Sequence, residues 1–120
     1  TDTLEVKDPH MRSVDDDGRV TVATALRGVS NGDGSEIQLF GNAVIVREAT
    51  KRPDGTAVPR MEFRGEYLHA FVNEDRVSSD KPVELLRGAD RFVGDQFDYD
   101  NRTGVAVLKG RVRGVLQPAK

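Results

Sequence analysis

The stretch Glu36 to Glu48 reads EIQLFGNAVIVRE, thirteen residues of strand-forming composition with one glycine near the middle. Side chains alternate across a strand, so Leu39, Gly41, Ala43 and Ile45 share a face. The usual strand has about 5–6 residues, and this one is far longer. A glycine inside a strand marks a bend, a bulge or a close backbone approach. A long strand with a glycine kink suits an open, curved sheet better than a compact sandwich of short strands.

The turn Asn31-Gly-Asp-Gly-Ser35 precedes this stretch. Further turn signals sit at Asp15-Asp-Asp-Gly18, Pro53-Asp-Gly55, Asn73-Glu-Asp75 and Asp100-Asn-Arg-Thr-Gly104. Between them, apolar alternation predicts strands over 19–27, 36–48, 60–72, 83–87, 91–99 and 104–116, with a weaker one over 3–7 or 10–14. Helix signals are nearly absent. Two units recur: Leu-x-Gly at Leu39-Phe-Gly41, Leu86-Arg-Gly88 and Leu108-Lys-Gly110, and Gly-acidic-x-apolar at Gly65-Glu-Tyr-Leu68 and Gly94-Asp-Gln-Phe97. Such repetition fits a stack of similar β-ribbons. The expected architecture is all-β, an elongated twisted β-jellyroll: an open two-sheet sandwich of long antiparallel strands, with residues 1–120 as a single domain.

With 37% hydrophobic and 32% charged residues and a mean hydropathy of -0.52, the composition is that of a globular protein. Lys+Arg 18 against Asp+Glu 20 leaves a net charge of -2, which argues against nucleic-acid binding because phosphate counterions must be displaced by excess positive charge. Tryptophan is absent and aromatics make up 6%, which leaves no stacking platform for single strands. Zero cysteine removes thiol catalysis, disulfides and cysteine-bound zinc. No apolar run approaches the roughly 20 residues that span a bilayer. The chain begins at Thr1 rather than Met, so it reads as a processed or trimmed piece whose address or anchor lay upstream.

On period-two grounds Leu39, Ala43, Ile45, Phe63, Leu68, Ala70, Leu85, Phe97, Leu108 and Val112 are assigned inward. Gly41, Gly65, Gly94 and Gly110 are read as leaving space where a filled sandwich would want bulk. In the last stretch, LKGRVRGVL from Leu108 to Leu116, the cations Lys109, Arg111 and Arg113 share the face opposite Leu108 and Val112 if the strand is continuous. They form either a solvated face that discourages edge aggregation or a contact for anionic groups.

His10 and His69 are the only histidines, and no further ligands at metal-site spacing accompany them. His69 reads as a strand residue pairing across a sheet. Asp98 and Asp100 share a face, and with Asp95 could suggest the paired carboxylates of a glycosidase. Acidic residues beside a turn explain them more simply, since no nucleophile or oxyanion donor can be named. There is no P-loop, no Gly-x-Ser-x-Gly and no dinucleotide fingerprint, so neither an enzyme nor a cofactor is expected.

The segments GDGSEIQLFGNAVIVRE and KPVELLRGADRFVGDQFDYDNRTGVAVLKGRVRG resemble the periplasmic domain of the LptC family of lipopolysaccharide-transport proteins. The features are Gly-Asn-Ala-Val after a Leu-x-Gly strand, Arg-Val-Ser-Ser-Asp-Lys-Pro-Val leading into a strand, and Gly-x-x-x-x-Tyr-x-Asn before a terminal Leu-x-Gly-x-Val. The likeness runs from Gly32 to Leu116 and is looser before that. It implies a twisted jellyroll of the superfamily shared with the bridge protein LptA and the N-terminal domain of LptD, whose members join end to end.

The resemblance further implies a periplasmic protein held at the inner membrane by an N-terminal helix missing here. Such a protein receives lipopolysaccharide from an inner-membrane ABC transporter and passes it to an LptA-like jellyroll. The ten inward residues would contact acyl chains, Lys109, Arg111 and Arg113 would meet head groups or a partner, and Gly41, Gly94 and Gly110 would serve structure or the junction. By the same resemblance Gly94 to Tyr99 and Val105 to Leu116 form the outgoing side, and Thr1 to Arg27 supplies the edge that meets the transporter. The alternatives are a soluble bridge protein of the LptA type and a filled β-sandwich scaffold.

Overall fold

The structure is a computed structural model that describes residues 3–14, 18–51, 53–74, 76–100 and 105–115. Of the expected turns, Asp15 to Asp17, Asp75 and 101–104 lie outside the described residues, as does Leu116. The strands are β1 (Thr3–Lys7), β2 (His10–Val14), β3 (Val20–Thr24), β4 (Arg27–Asn31), β5 (Glu36–Arg47), β6 (Thr50–Lys51), β7 (Ala57–Val58), β8 (Met61–Phe71), β9 (Arg76–Ser79), β10 (Val83–Arg87), β11 (Asp90–Gly94), β12 (Gln96–Asp100), β13 (Val105–Lys109) and β14 (Arg113–Val115).

Strand β5 explains the architecture. Its residues 36–40 lie between β4 and the second half of β8, while residues 44–47 lie between β3 and the first half of β8. The two halves thus belong to different walls, and the register shift between Phe40 and Ala43 marks the bend between them. Strand β8 repeats the arrangement, its first half pairing β10 and its second half pairing β9. The other passes break fully into two strands at the bend. The described strands therefore stack as seven chevrons: β1 with β2, β3 with β4, β5, β8, β9 with β10, β11 with β12, and β13 with β14. The first wall runs β1-β4-β5-β8-β9-β12-β13 and the second β2-β3-β5-β8-β10-β11-β14, antiparallel throughout.

The bends form a spine. Asp8 N–H donates to Leu26 O at 2.8 Å, Leu26 N–H to Gly41 O at 2.9 Å, and Asp95 N–H to Lys109 O at 2.9 Å. Sharp bends demand unusual backbone, and positive φ occurs at Asp8 (51°), Gly41 (80°), Asn42 (47°), Gly110 (67°) and Arg111 (34°). Glycine populates that region at no steric cost, which accounts for Gly41 and Gly110. The acidic residue of the second repeated unit staples neighbouring bends: Glu66 Oε2 accepts from Asn42 N–H at 3.0 Å, and Asp95 pairs with Arg111.

The walls face each other across an apolar core. Phe63 of the second wall sits 5.1 Å, centroid to centroid, from both Phe97 and Tyr99 of the first. Ala23, Leu39, Ala43, Ile45, Met61, Leu68, Val83 and Leu85 complete the buried set among the described residues. On the outer surface Glu62 is buried beneath Arg60 and Arg64, which both pair with it. Strands β6 and β7 make a separate small ribbon, and Arg19 ties its flanks by donating to Glu48 O at 3.0 Å and Pro59 O at 3.2 Å.

Several expected strands divide at the spine. The segments read as 91–99 and 104–116 break at Asp95 and at Gly110 to Val112, and 19–27 breaks between β3 and β4. Both 3–7 and 10–14 are strands, and β9 lies outside the expected strands. Residues 108–115 of LKGRVRGVL are accordingly a chevron rather than one strand. Its cations share no continuous face, because Lys109 lies on the first wall, Arg111 in the bend and Arg113 on the second wall. The space read at four glycines is also corrected: a Cβ would come within 2.9 Å of Leu26 at Gly41, 3.0 Å of Pro82 O at Gly65, 3.1 Å of Leu108 at Gly94 and 2.9 Å of Asp95 at Gly110. They are points of close approach.

Candidate functional site

Opposite the spine the walls part along a seam, and a cleft of 280 Å³ opens between them. Its first-wall side is built from Ile37, Ala70, Phe71, Val72, Arg76, Val77 and Tyr99, and its second-wall side from Met11, Arg12, Ser13, Thr21, Ala23, Ile45 and Arg47. The lining is mostly apolar because strand alternation sends Ile37, Ile45, Ala70, Val77 and Tyr99 inward. The volume falls just below the roughly 300–1,000 Å³ usual for small-molecule pockets, and the seam leaves it open along one side.

Of the ten residues assigned inward, Ile45 and Ala70 line this cleft. Leu39, Ala43, Phe63, Leu68, Leu85 and Phe97 lie deeper, buried against one another near the spine, and Leu108 packs partly buried against that core. Val112 is the exception: it sits in the last bend and is 49% exposed, so its assignment to the interior is wrong. A bend residue belongs to neither wall and alternation does not apply to it. Sequence reasoning missed Ile37 and Arg47, although continuing the alternation of EIQLFGNAVIVRE outward from Leu39 and Ile45 reaches both.

The candidate contact residues are dispersed. Arg111 is exposed and held by Asp95, Nε to Oδ2 at 3.0 Å and Nη2 to Oδ1 at 3.3 Å, and this hydrogen bonding raises its pKa above the ordinary value. Lys109 and Arg113 are exposed on separate walls. At the seam Arg76 donates to Asp98 at 2.7 Å, lies over the Phe71 ring and approaches Glu74 at 3.6 Å. His69 stacks on Phe71 at 4.1 Å on the outer face of the first wall, with Nε2 3.0 Å from Glu36 and Nδ1 3.4 Å from the Tyr67 hydroxyl. Burial raises the Tyr67 pKa, and Asp80 and Glu36 add to the shift. Asp98 and Asp100 share that outer face, with Asp98 engaged by Arg76, while Asp95 belongs to the spine. Among the described residues no group of three or more His, Asp or Glu is placed to hold a metal.

Among the described residues the outermost strands at both ends of the stack have a free edge: there β1 and β2 pair only with β4 and β3, and β13 and β14 only with β12 and β11. Both ends present apolar side chains: Leu4, Val6 and Val14 at one, Val105, Val107 and Val112 at the other. Within the outgoing side read over Gly94 to Tyr99 and Val105 to Leu116, β12 is not the edge, because it is covered on both sides by β9 and β13.

The family described as lipopolysaccharide-assembly, LptC-related, matches residues 1–117. The chain belongs to the LptC-related family. It is also similar in fold to LptH of Pseudomonas aeruginosa, described as the LptA-homologous periplasmic component of a conserved lipopolysaccharide transport device. That likeness has a TM-score of 0.69 at 17% identity and covers 98% of this chain and 96% of that one. A search of curated proteins finds no match. The open all-β jellyroll expected from the sequence is the fold observed, and membership of the LptC-related family makes the chain a component of lipopolysaccharide transport. Among the described residues no helix is long and apolar enough to cross a membrane.

Proposed function

We propose that this chain is a non-enzymatic segment of a periplasmic lipid path, held at the inner membrane. It accepts acyl chains of lipopolysaccharide from an ABC transporter and passes them to an LptA-like jellyroll. The observation that carries the reading is the apolar cleft open along the seam between two facing walls. Each buried acyl methylene contributes about 0.8 kcal/mol, so several chains bind without a dedicated polar grip, and an open seam lets the polar head stay in water. Among the described residues β1 and β2 at one end and β13 and β14 at the other have a free edge, which suits main-chain pairing with neighbouring jellyrolls. Energy for direction comes from the transporter, since this chain carries no nucleotide motif.

A second reading, a scaffold with a filled interior, draws on the close packing of Phe63, Phe97 and Tyr99 across the walls. Photo-crosslinking in cells separates the two. Probes at Ile37 and Val77, in the cleft, should become labelled with lipopolysaccharide while one at Tyr67, on the outer face, should not. Absence of labelling from both cleft positions in a folded protein selects the scaffold.

A further inference from the structure

We propose that Arg47, together with the hydroxyls of Ser13 and Thr21, forms an anion subsite just inside the seam for the phosphate of an amphiphile whose acyl chains occupy the cleft. This rests on the lipid-carrying reading above and adds a polar grip to it. Register places the three residues in one cross-strand row: Ser13 faces Thr21, and Thr21 faces Arg47. All three line the cleft. The next row toward the spine, Met11, Ala23 and Ile45, is wholly apolar. The second wall therefore changes from hydrocarbon to hydroxyl and guanidinium within one step of the pleat, the polarity profile of a phosphorylated lipid entering chains first.

Among the described residues the charge lining the cleft is one-sided, with three arginines and no Asp or Glu. Arg76 is engaged by Asp98 and Glu74 at the opposite rim, and Arg12 is exposed. Arg47 is half-buried and adjoins the apolar row, where lower polarity strengthens an ionic hydrogen bond. A guanidinium presents its donors in a planar fork that matches phosphate in two-point contact, and the neighbouring hydroxyls can donate to the remaining oxygens.

The test compares lipopolysaccharide with the same material stripped of its phosphate groups, each titrated against the full chain. For the wild type, binding of both with preference for the phosphorylated form is expected. Arg47→Gln should weaken the phosphorylated ligand by roughly 10- to 100-fold, as loss of a hydrogen bond to a charged group implies, and leave the stripped ligand unchanged. Arg47→Lys should recover part of the loss, and inorganic phosphate alone should not compete.

Equal weakening of both ligands, no weakening of either, or competition by inorganic phosphate overturns the subsite. In those cases the intact wild-type binding leaves lipid carriage standing. If the wild type binds neither ligand, lipid carriage itself fails. Should Arg47→Gln melt early, the Ser13→Ala and Thr21→Val double variant supplies the same comparison, and there a loss confined to the phosphorylated ligand supports the row while its absence counts against it.

Discussion

Replacing Gly94 tests how the last chevron is attached. Gly94 is buried at the spine end of β11, and a Cβ there would stand 3.1 Å from both Cβ and Cδ2 of Leu108 on β13. Its φ lies outside the positive region, so a side chain meets crowding rather than backbone strain. Leu108 must yield, and among the described residues it sits on a strand that pairs with β12 alone. Overpacking of this kind costs about 1–3 kcal/mol. At about 2.1 cal/mol/K per residue, 120 residues give an unfolding entropy of about 250 cal/mol/K, hence about 4 °C per kcal/mol. Gly94→Ala should lower the melting temperature by about 4 °C and Gly94→Val by about 12 °C.

Hydrogen exchange should show the damage concentrated in residues 105–109, while β5 and β8 at the centre of the stack keep their protection. Capture of a neighbouring jellyroll through that end should fall with it. If Gly94→Val melts like the wild type, or if protection is lost evenly through the molecule, close packing of Gly94 on Leu108 does not join the end chevron to the core.

Phe63→Ala removes the ring that links the walls and should cost about 3–5 kcal/mol, measured by urea unfolding, with Phe63→Leu costing visibly less. Arg111 combines φ of 34° with its Asp95 contact; Arg111→Gly should melt a few degrees above Arg111→Ala, because both lose the ion pair and only glycine relieves the backbone. Val107→Lys should abolish capture of a next jellyroll at the β13 end and leave the melt unchanged, since a charge blunts an exposed edge. Tyr67 has a folded-state pKa raised from 10.0, mainly by burial, so the folded state holds its proton longer and stability falls as pH rises from the unfolded value through the folded one. Unfolding midpoints measured above pH 10 should decline less steeply for Tyr67→Phe than for the wild type.

The parity of the alternation explains what the sequence disclosed and what it hid. Across the Gly41–Asn42 bend, inward residues remain odd, from Leu39 to Ala43 and Ile45, and across 110–112 they remain even, from Leu108 to Gly114 opposite Phe92. A bend that preserves parity leaves no break in the pattern, so EIQLFGNAVIVRE and LKGRVRGVL both read as single long strands. The face assignments survive on the arms and fail at Val112, which lies inside a bend.

The other repeated unit reverses parity. Gly65 and Leu68 both face inward although they are three apart, as do Gly94 and Phe97, and their acidic residues Glu66 and Asp95 mark the turning points. The two repeats visible in the sequence thus include two ways of crossing the spine. Leu-x-Gly carries a further use, because Gly88 serves instead in the turn that follows β10 at the seam, at φ 59°. A three-residue motif records the demand for a left-handed turn and cannot say at which end of the arm the turn occurs. The location of the cleft was hidden for the same reason: Arg47 continues the inward face of Ile45, but only the bend at Gly41 shows that this arm ends at an open seam, where a charged side chain can face the interior and still reach water.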